Sequence, residues 1–169
     1  MKLNRKEIEA LKHHLKNKEN RKNSELDILY KKLKVENSIT LYIDGASDLH
    51  SKTAGIGGVI YNLDKEIFSF SEYLHDSTNN EAEYKALIVG LKYLLEFKLL
   101  NPIIFSDSEL IVKQVNGEYK VKNERMKVLH SEVISLLGNF ESWRLTHILR
   151  EKNKVADQLA NEGRKKATF

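Results

Sequence analysis

Residues 39–45 read ITLYIDG, a run of β-branched and aromatic residues that predicts a strand ending in a turn at its last two positions. A second strand is predicted at residues 55–61, where glycines lead into Val-Ile-Tyr. A polar hairpin turn at residues 62–65 joins it to a third strand at residues 66–73. Three consecutive strands with such short connections favour an antiparallel meander.

Beyond this meander, helical periodicity alternates with two further strands. Helices are predicted at residues 81–98, 108–116, 124–138 and 153–167, and strands at residues 102–105 and 143–150. The order βββ-α-β-α-α-β-α predicts an α/β fold with a five-stranded mixed sheet flanked by helices. In this sheet the first three strands are antiparallel, and helical crossovers join the later ones.

Composition excludes several classes of protein. The 169 residues contain no Cys, which excludes a disulfide framework, a thiolate nucleophile and a Cys-ligated zinc site. No run approaches the ~20 apolar residues of a membrane span, and the Lys-rich start lacks the apolar core of a secretory signal. The sequence therefore predicts a cytoplasmic protein without a membrane partner.

Positive charge is concentrated in residues 1–37, which hold 11 Lys and Arg against six acidic residues, whereas the remainder holds 17 against 18. Apolar stripes at residues 3–16 and after Ser24, which resembles an N-cap, predict two short amphipathic helices. We therefore predict a basic helical extension at residues 1–37 and a separate domain at residues 38–169. The extension either contacts the phosphates of a nucleic acid or serves as a docking or dimerising hairpin.

Four acidic residues occupy positions where an acid is costly. Asp44 and Asp107 each directly follow an apolar strand, and strand ends are where α/β sheets place their chemistry. Glu83 extends the buried stripe of its helix, and Asp157 lies among apolar residues early in the last helix. Taken singly, each acid has an ordinary explanation as a turn residue, a helix cap or a first-turn acid.

If these four acids converge, their mutual repulsion raises their pKa values and opposes folding unless positive charge fills the centre. No basic residue is placed beside each of them in the sequence. Mg²⁺ or Mn²⁺ suits such hard oxygen ligands better than zinc does. Two ions about 3.5–4 Å apart would polarise a phosphodiester and activate water for in-line attack.

Several sequence blocks between about residues 39 and 163 resemble type 1 ribonuclease H in family order. They are YIDGAS at 42–47, GGVIY at 57–61, TNNEAEYKAL at 78–87, FSDSEL at 105–110, QVNG at 114–117 and NKVADQLA at 153–160. The resemblance implies an RNase H-like catalytic domain at residues 38–169 with a metal-binding tetrad at Asp44, Glu83, Asp107 and Asp157. It also implies two Mg²⁺ ions, replaceable by Mn²⁺, and hydrolysis of the RNA strand of RNA–DNA hybrids to 5′-phosphate and 3′-hydroxyl ends.

The same resemblance implies substrate-binding residues. The loop of Thr78, Asn79 and Asn80 resembles one that holds a DNA phosphate and contacts base edges in the minor groove. Helix capping is the alternative role for the two Asn residues, and it is compatible with substrate binding. Gln114, in the QVNG block, is the fourth expected contact. A hybrid duplex has a wide, shallow minor groove, so recognition of shape and sugar is expected. No obligatory protein partner is inferred.

Two departures from the family pattern matter. Residues 116–123 leave no room for the basic, Trp-rich protrusion of many members, so the chain resembles the compact branch of the family. In many members a His in the loop before the last helix assists the reaction, and His147 stands at the matching distance before Asn153. Strand periodicity, however, would bury His147 and direct Arg150 to the site, and we favour Arg150 in this auxiliary role. The alternatives are a non-cleaving nucleic-acid-binding protein and a retroelement-type RNase H domain.

Overall fold

The computed structural model describes residues 5–35 and 39–166. The chain consists of two compact units, Met1–Ser38 and Ile39–Phe169. The predicted domain boundary between residues 37 and 38, the first two residues of the first predicted helix and the last residue of the closing one lie outside the described residues. Within the described ranges, no helix has the length and apolar character needed to cross a bilayer.

The second unit contains one five-stranded mixed sheet with the strand order β3-β2-β1-β4-β5. The strands are β1 (Ile39–Asp48), β2 (Thr53–Asn62), β3 (Lys65–His75), β4 (Ile103–Ser106) and β5 (Arg144–His147). The first three are antiparallel, whereas β4 runs parallel to β1 and β5 runs parallel to β4. The predicted fold class is confirmed.

Helices occur in both units. They are α1 (Arg5–Leu15), α2 (Ser24–Val35), α3 (Asn79–Glu96), α4 (Glu109–Val115), α5 (Glu124–Leu137) and α6 (Lys154–Lys165), with short 3₁₀ helices at Lys18–Arg21 and Arg150–Lys152. In the first unit, α1 and α2 contact each other. The Asn23 side chain accepts a hydrogen bond from the Glu25 amide at 2.9 Å, so Asn23 rather than Ser24 supplies the capping oxygen of α2.

Two strand ends differ from the prediction by three residues or more, whereas the others agree within two. β1 does not stop at Asp44 but continues to Asp48, because antiparallel pairing with β2 persists to Asp48 opposite Thr53. β5 ends at His147 rather than at residue 150, because its one neighbour, β4, is itself only four residues long. After the Ile148 amide donates to the Ser106 carbonyl at 2.9 Å, the chain turns into the 3₁₀ helix that contains Arg150.

The two faces of the sheet carry different helices. A Cβ built on Gly90 of α3 would meet Leu41 and Ile43, so the odd-numbered residues of β1 face α3. A Cβ built on Gly57 of β2 would meet the backbone of α6. Because Asp44 pairs directly with Gly57, Asp44 shares the face that α6 covers. The apolar core lies mainly between the sheet and α3, α4 and α5.

Candidate active site

Three carboxylates from distant parts of the sequence converge at one edge of the second unit. Ligand oxygens of Asp44, Glu83 and Asp107 lie within 4.8 Å of one another. Asp157 and Arg150 line the same cavity, which we call the carboxylate pocket. The structure therefore brings together the four predicted acidic residues, with Asp157 on the side of the pocket formed by α6.

The parallel pairing of β1 with β4 places Asp44 beside Asp107. The last pair in that register is Ile43 with Ser106, so the two aspartates are the next residues on adjacent strands, at the point where the strands separate. Asp44 remains on β1, and Asp107 begins the loop into α4. Two carboxylates are thus held side by side by the backbone geometry of the sheet.

Glu83 reaches this point because α3 approaches β1 closely at a glycine. A Cβ built on Gly45 would lie 2.3 Å from the Glu83 amide nitrogen, so any larger residue there would displace the start of α3. The helix begins at Asn79 with a capping box: the Glu81 amide donates to the Thr78 hydroxyl at 3.3 Å, and the Thr78 amide donates to the Glu81 carboxylate at 2.8 Å. This cap fixes the start of the helix, and Glu83 lies two residues after Glu81.

Burial and mutual repulsion make the centre of the pocket unfavourable for negative charge. Asp44 and Glu83 are only 5% and 6% exposed. Burial, followed by repulsion from Asp107 and Asp157, raises the pKa of Asp44 to about 8. Burial, followed by repulsion from Asp44 and Asp107, raises the pKa of Glu83 to about 9. Among the described residues, the buried Glu83 Oε2 has no hydrogen-bond partner. A pocket of this kind fits a cation.

Arg150 and His147 lie in different environments. Arg150 lines the carboxylate pocket, where its Nη2 donates to Asp157 Oδ1 at 2.8 Å. His147, the last residue of β5, is exposed and does not line this pocket. The expectation that strand periodicity buries His147 is wrong, because β5 is an edge strand whose ends reach solvent. Arg150 reaches the pocket from the 3₁₀ helix rather than from a strand.

Asn153 is a site residue that the sequence analysis did not single out. Its side chain is 1% exposed, and its Nδ2 donates to both the Ile43 carbonyl and Asp107 Oδ1, each at 2.9 Å. It therefore ties the start of α6 to β1 while orienting one of the carboxylates. Its position four residues before Asp157 within the NKVADQLA block was the available signal.

The predicted substrate-binding residues divide between two neighbouring pockets. Asn79 lines the carboxylate pocket, with its Nδ2 3.4 Å from Glu83 Oε1. Thr78, Asn80 and Gln114 line a second cavity, which we call the basic pocket because three cationic side chains also line it: Lys120, Lys122 and Arg125. The loop at the start of α3 therefore borders both pockets. The sequence analysis missed the three cationic residues.

Comparison with known proteins agrees with this geometry. The family model described as reverse transcriptase-like matches residues 42–163. Ribonuclease HI of Halobacterium salinarum is 34% identical over 122 residues, covering 72% of this chain and 61% of the relative. This chain thus spans about three-fifths of that protein, and it spans 35% of the matched mycobacterial relatives.

Solved structures also resemble this fold. RNase H1 from the halophilic archaeon Halobacterium salinarum superposes with a TM-score of 0.72 at 31% identity, covering 76% of this chain and 98% of that one. LC11-RNase H1 in complex with RNA/DNA hybrid gives a TM-score of 0.70 at 37% identity, covering 76% and 97%. The chain belongs to the reverse transcriptase-like family and, within it, to the type 1 ribonucleases H.

Proposed function

We propose that this protein is a metal-dependent endoribonuclease that hydrolyses the RNA strand of RNA–DNA hybrids, leaving 5′-phosphate and 3′-hydroxyl ends. The observation that carries the proposal is the buried convergence of Asp44, Glu83 and Asp107, with a Glu83 oxygen that has no protein partner among the described residues. Membership of the ribonuclease H family supports it, as does the relative whose structure contains an RNA/DNA hybrid.

The donor set fits divalent cations with a preference for oxygen. Asp44, Glu83, Asp107 and Asp157 would hold two Mg²⁺ ions, with Mn²⁺ as a substitute, because all four offer carboxylate oxygens and no Cys occurs in the chain. When bound, such ions stabilise charge that develops on a phosphodiester and lower the pKa of coordinated water. They would also relieve the repulsion that raises the pKa values of Asp44 and Glu83.

The chain's own residues position the reaction in two ways. Asn153 holds the Asp107 carboxylate in a fixed orientation, which preorganises a metal ligand. Arg150 forms an ion pair with Asp157, but its side chain is 77% exposed. Its guanidinium can therefore turn towards a phosphate at the mouth of the pocket and stabilise negative charge there.

The basic pocket supplies a surface for the hybrid backbone. Lys120, Lys122 and Arg125 contribute positive charge, while Thr78 and Asn80 contribute polar side chains. Glu81 also lines this pocket, but its carboxylate already accepts from Thr78 and lies 3.5 Å from Arg125 Nη1. The pocket as a whole therefore favours phosphate and sugar oxygens. We further propose that the basic extension, residues 1–37, adds nonspecific phosphate contacts.

A cleavage panel tests this function. Labelled RNA–DNA, RNA–RNA, DNA–DNA and single-stranded RNA substrates are incubated with Mg²⁺, with Mn²⁺ and with EDTA. We expect cleavage of the RNA strand in the RNA–DNA hybrid alone, only with metal, and with product ends that a ligase requiring a 5′-phosphate can join. Cleavage that persists in EDTA, or hybrid binding without cleavage in any metal, contradicts the proposal.

Substitutions in the pocket sharpen the same test. Asp107→Asn should lower the cleavage rate by more than about a hundredfold, since even indirect contacts to a metal are worth 10–100-fold. The matched control is Asp64→Asn, which changes an Asp in the hairpin turn between β2 and β3, outside the carboxylate pocket. Both variants should keep the circular dichroism spectrum of the wild type. Full activity of Asp107→Asn contradicts the assignment of the site.

A further inference from the structure

A buried hydrogen bond links α3 to the basic pocket. Tyr84, the residue after Glu83, is fully buried, and its hydroxyl donates to Gln114 Oε1 at 2.8 Å. Gln114 is itself 8% exposed and lies near the end of α4. The pair connects residues 30 positions apart in the sequence and spans the interface between the two helices.

Gln114 is also held through its main chain. His130 of α5 donates from Nε2 to the Gln114 carbonyl oxygen at 3.2 Å, and the His130 ring packs edge-on against the Tyr84 ring. Two helices therefore fix Gln114, one through its side-chain oxygen and one through its backbone. A side chain restrained in this way loses little further conformational freedom when it binds a ligand.

The hydrogen bond from Tyr84 determines what Gln114 can offer. An amide side chain has one acceptor oxygen and one donor nitrogen. With Oε1 engaged by Tyr84, the group that Gln114 presents to a ligand in the basic pocket is the Nε2 donor. This matches the surrounding Lys120, Lys122 and Arg125, which are also donors without acceptor capacity.

We propose that Tyr84 is a positioning residue for substrate binding: its hydroxyl holds the Gln114 amide so that Nε2 donates to a phosphate or sugar oxygen of the hybrid. The proposal rests on the proposed function. Packing alone does not require the hydroxyl, since Phe would fill nearly the same volume, and a buried hydroxyl is unfavourable unless it is hydrogen-bonded. The Tyr84 hydroxyl is the donor in this bond because an amide oxygen can only accept.

The test compares Tyr84→Phe with the wild-type protein by steady-state hybrid cleavage. We expect KM to rise about three- to tenfold, the value of one hydrogen bond, with kcat within about twofold of the wild type. The affinity for a fluorescent hybrid, measured in an Asp107→Asn background, should fall by the same factor. The matched control is Tyr93→Phe on the same helix, whose ring packs against Phe68 and Phe70, and it should leave KM unchanged.

A double-substitution cycle separates positioning from a structural role. Tyr84→Phe should have no further effect on KM once Gln114→Ala is present, because the amide that it orients is gone. Gln114→Glu keeps an oxygen for Tyr84 but replaces the donor with an acceptor, so it should weaken hybrid binding more than Gln114→Ala does.

Three results overturn the inference while leaving the proposed function intact: an unchanged KM in Tyr84→Phe, an equal effect of Tyr84→Phe with and without Gln114, or wild-type affinity in Gln114→Glu. The last result does not depend on whether Tyr84→Phe folds. A wild-type protein that neither binds nor cleaves the hybrid contradicts the proposed function itself, and the inference with it.

Discussion

Replacing Asp44 with Asn should stabilise the metal-free protein at neutral pH while abolishing its activity. Asp44 is 5% exposed, and its pKa rises from 3.8 to about 8 because of burial and the repulsion of Asp107 and Asp157. Asn has the shape and neutrality of protonated Asp, so it keeps the packing and removes the cost of holding an acid in this pocket. The metal-free pocket thus opposes folding, and one substitution should reveal by how much.

The magnitude follows from proton linkage. An acid whose folded-state pKa is raised binds a proton on folding, so it lowers stability increasingly as pH rises from the unfolded pKa towards the folded one. A pH of 7 lies about three units above the unfolded-state pKa of 3.8, so the cost of burying the Asp44 carboxylate at this pH is at most about 4 kcal/mol. Repulsion from Asp44 also contributes to the raised pKa of Glu83, so part of this cost is shared between the two acids. We expect a gain of about 2–4 kcal/mol at pH 7.

The assay is urea denaturation followed by far-UV circular dichroism in EDTA, from pH 4 to pH 8. The advantage of Asp44→Asn should be only about 0.6 kcal/mol at pH 4, where the wild-type acid is protonated in the folded state and close to half protonated in the unfolded state. It should then grow steadily towards pH 8. Adding Mg²⁺ should stabilise the wild type more than the variant, because the ion binds only the folded pocket.

Two outcomes would refute this reasoning. One is a variant no more stable than the wild type at pH 7 in EDTA, which would mean that the pocket carries little electrostatic cost. The other is a gain that is the same at pH 4 and pH 7, which would indicate a packing effect instead of a titrating carboxylate. Asp64→Asn, in the hairpin turn outside the carboxylate pocket, is the control for a general effect of net charge.

Three further predictions concern the surroundings of the pocket. Asn153→Ala removes the hydrogen bonds to Ile43 and Asp107, so it should lower the unfolding free energy by about 1–3 kcal/mol, measured by urea denaturation. It should also lower the affinity for Mg²⁺ about 10–100-fold, measured by metal titration, and a wild-type affinity would contradict the positioning role. Arg150→Ala should reduce kcat at least tenfold, and Arg150→Lys less, since the loss of one charge-assisted contact at a transition state costs more than about 1.4 kcal/mol. His147→Ala should keep kcat within about twofold of the wild type. A larger defect in His147→Ala than in Arg150→Ala would make His147, not Arg150, the auxiliary residue. Deleting residues 1–37 should reduce the salt dependence of hybrid binding, seen as a shallower plot of log K against log salt, and an unchanged slope would exclude phosphate contacts by the extension.

Local sequence patterns were sufficient to predict the order of strands and helices and to single out the acidic residues of the site. The β-branched and aromatic run at residues 39–45 predicted β1, helical periodicity predicted α3 through α6, and their order predicted the mixed sheet. Asp44 and Asp107 could be predicted as site residues because each directly follows an apolar run, and the carboxyl ends of strands are where α/β sheets place their chemistry. Such inferences succeed because hydrophobic periodicity is a property of short segments.

The ends of strands were less predictable because they depend on neighbours. β1 passes Asp44 since β2 continues to pair with it, and β5 stops at His147 since β4 has ended. The choice between Arg150 and His147 as the side chain that lines the pocket followed from that early stop. Strand periodicity favoured Arg150, but a 3₁₀ helix delivers it.

The sequence by itself determined which carboxylates this protein has and the order of the elements that carry them. Only the tertiary structure decided their environment: the burial that raises the pKa values of Asp44 and Glu83, and the amide of Asn153 that bridges to Ile43 across 110 residues. The hydrogen bond from the Tyr84 hydroxyl to Gln114 is likewise a feature that only the tertiary structure decided. Desolvation and hydrogen bonding depend on distances between residues far apart in the chain, and no local pattern encodes those distances.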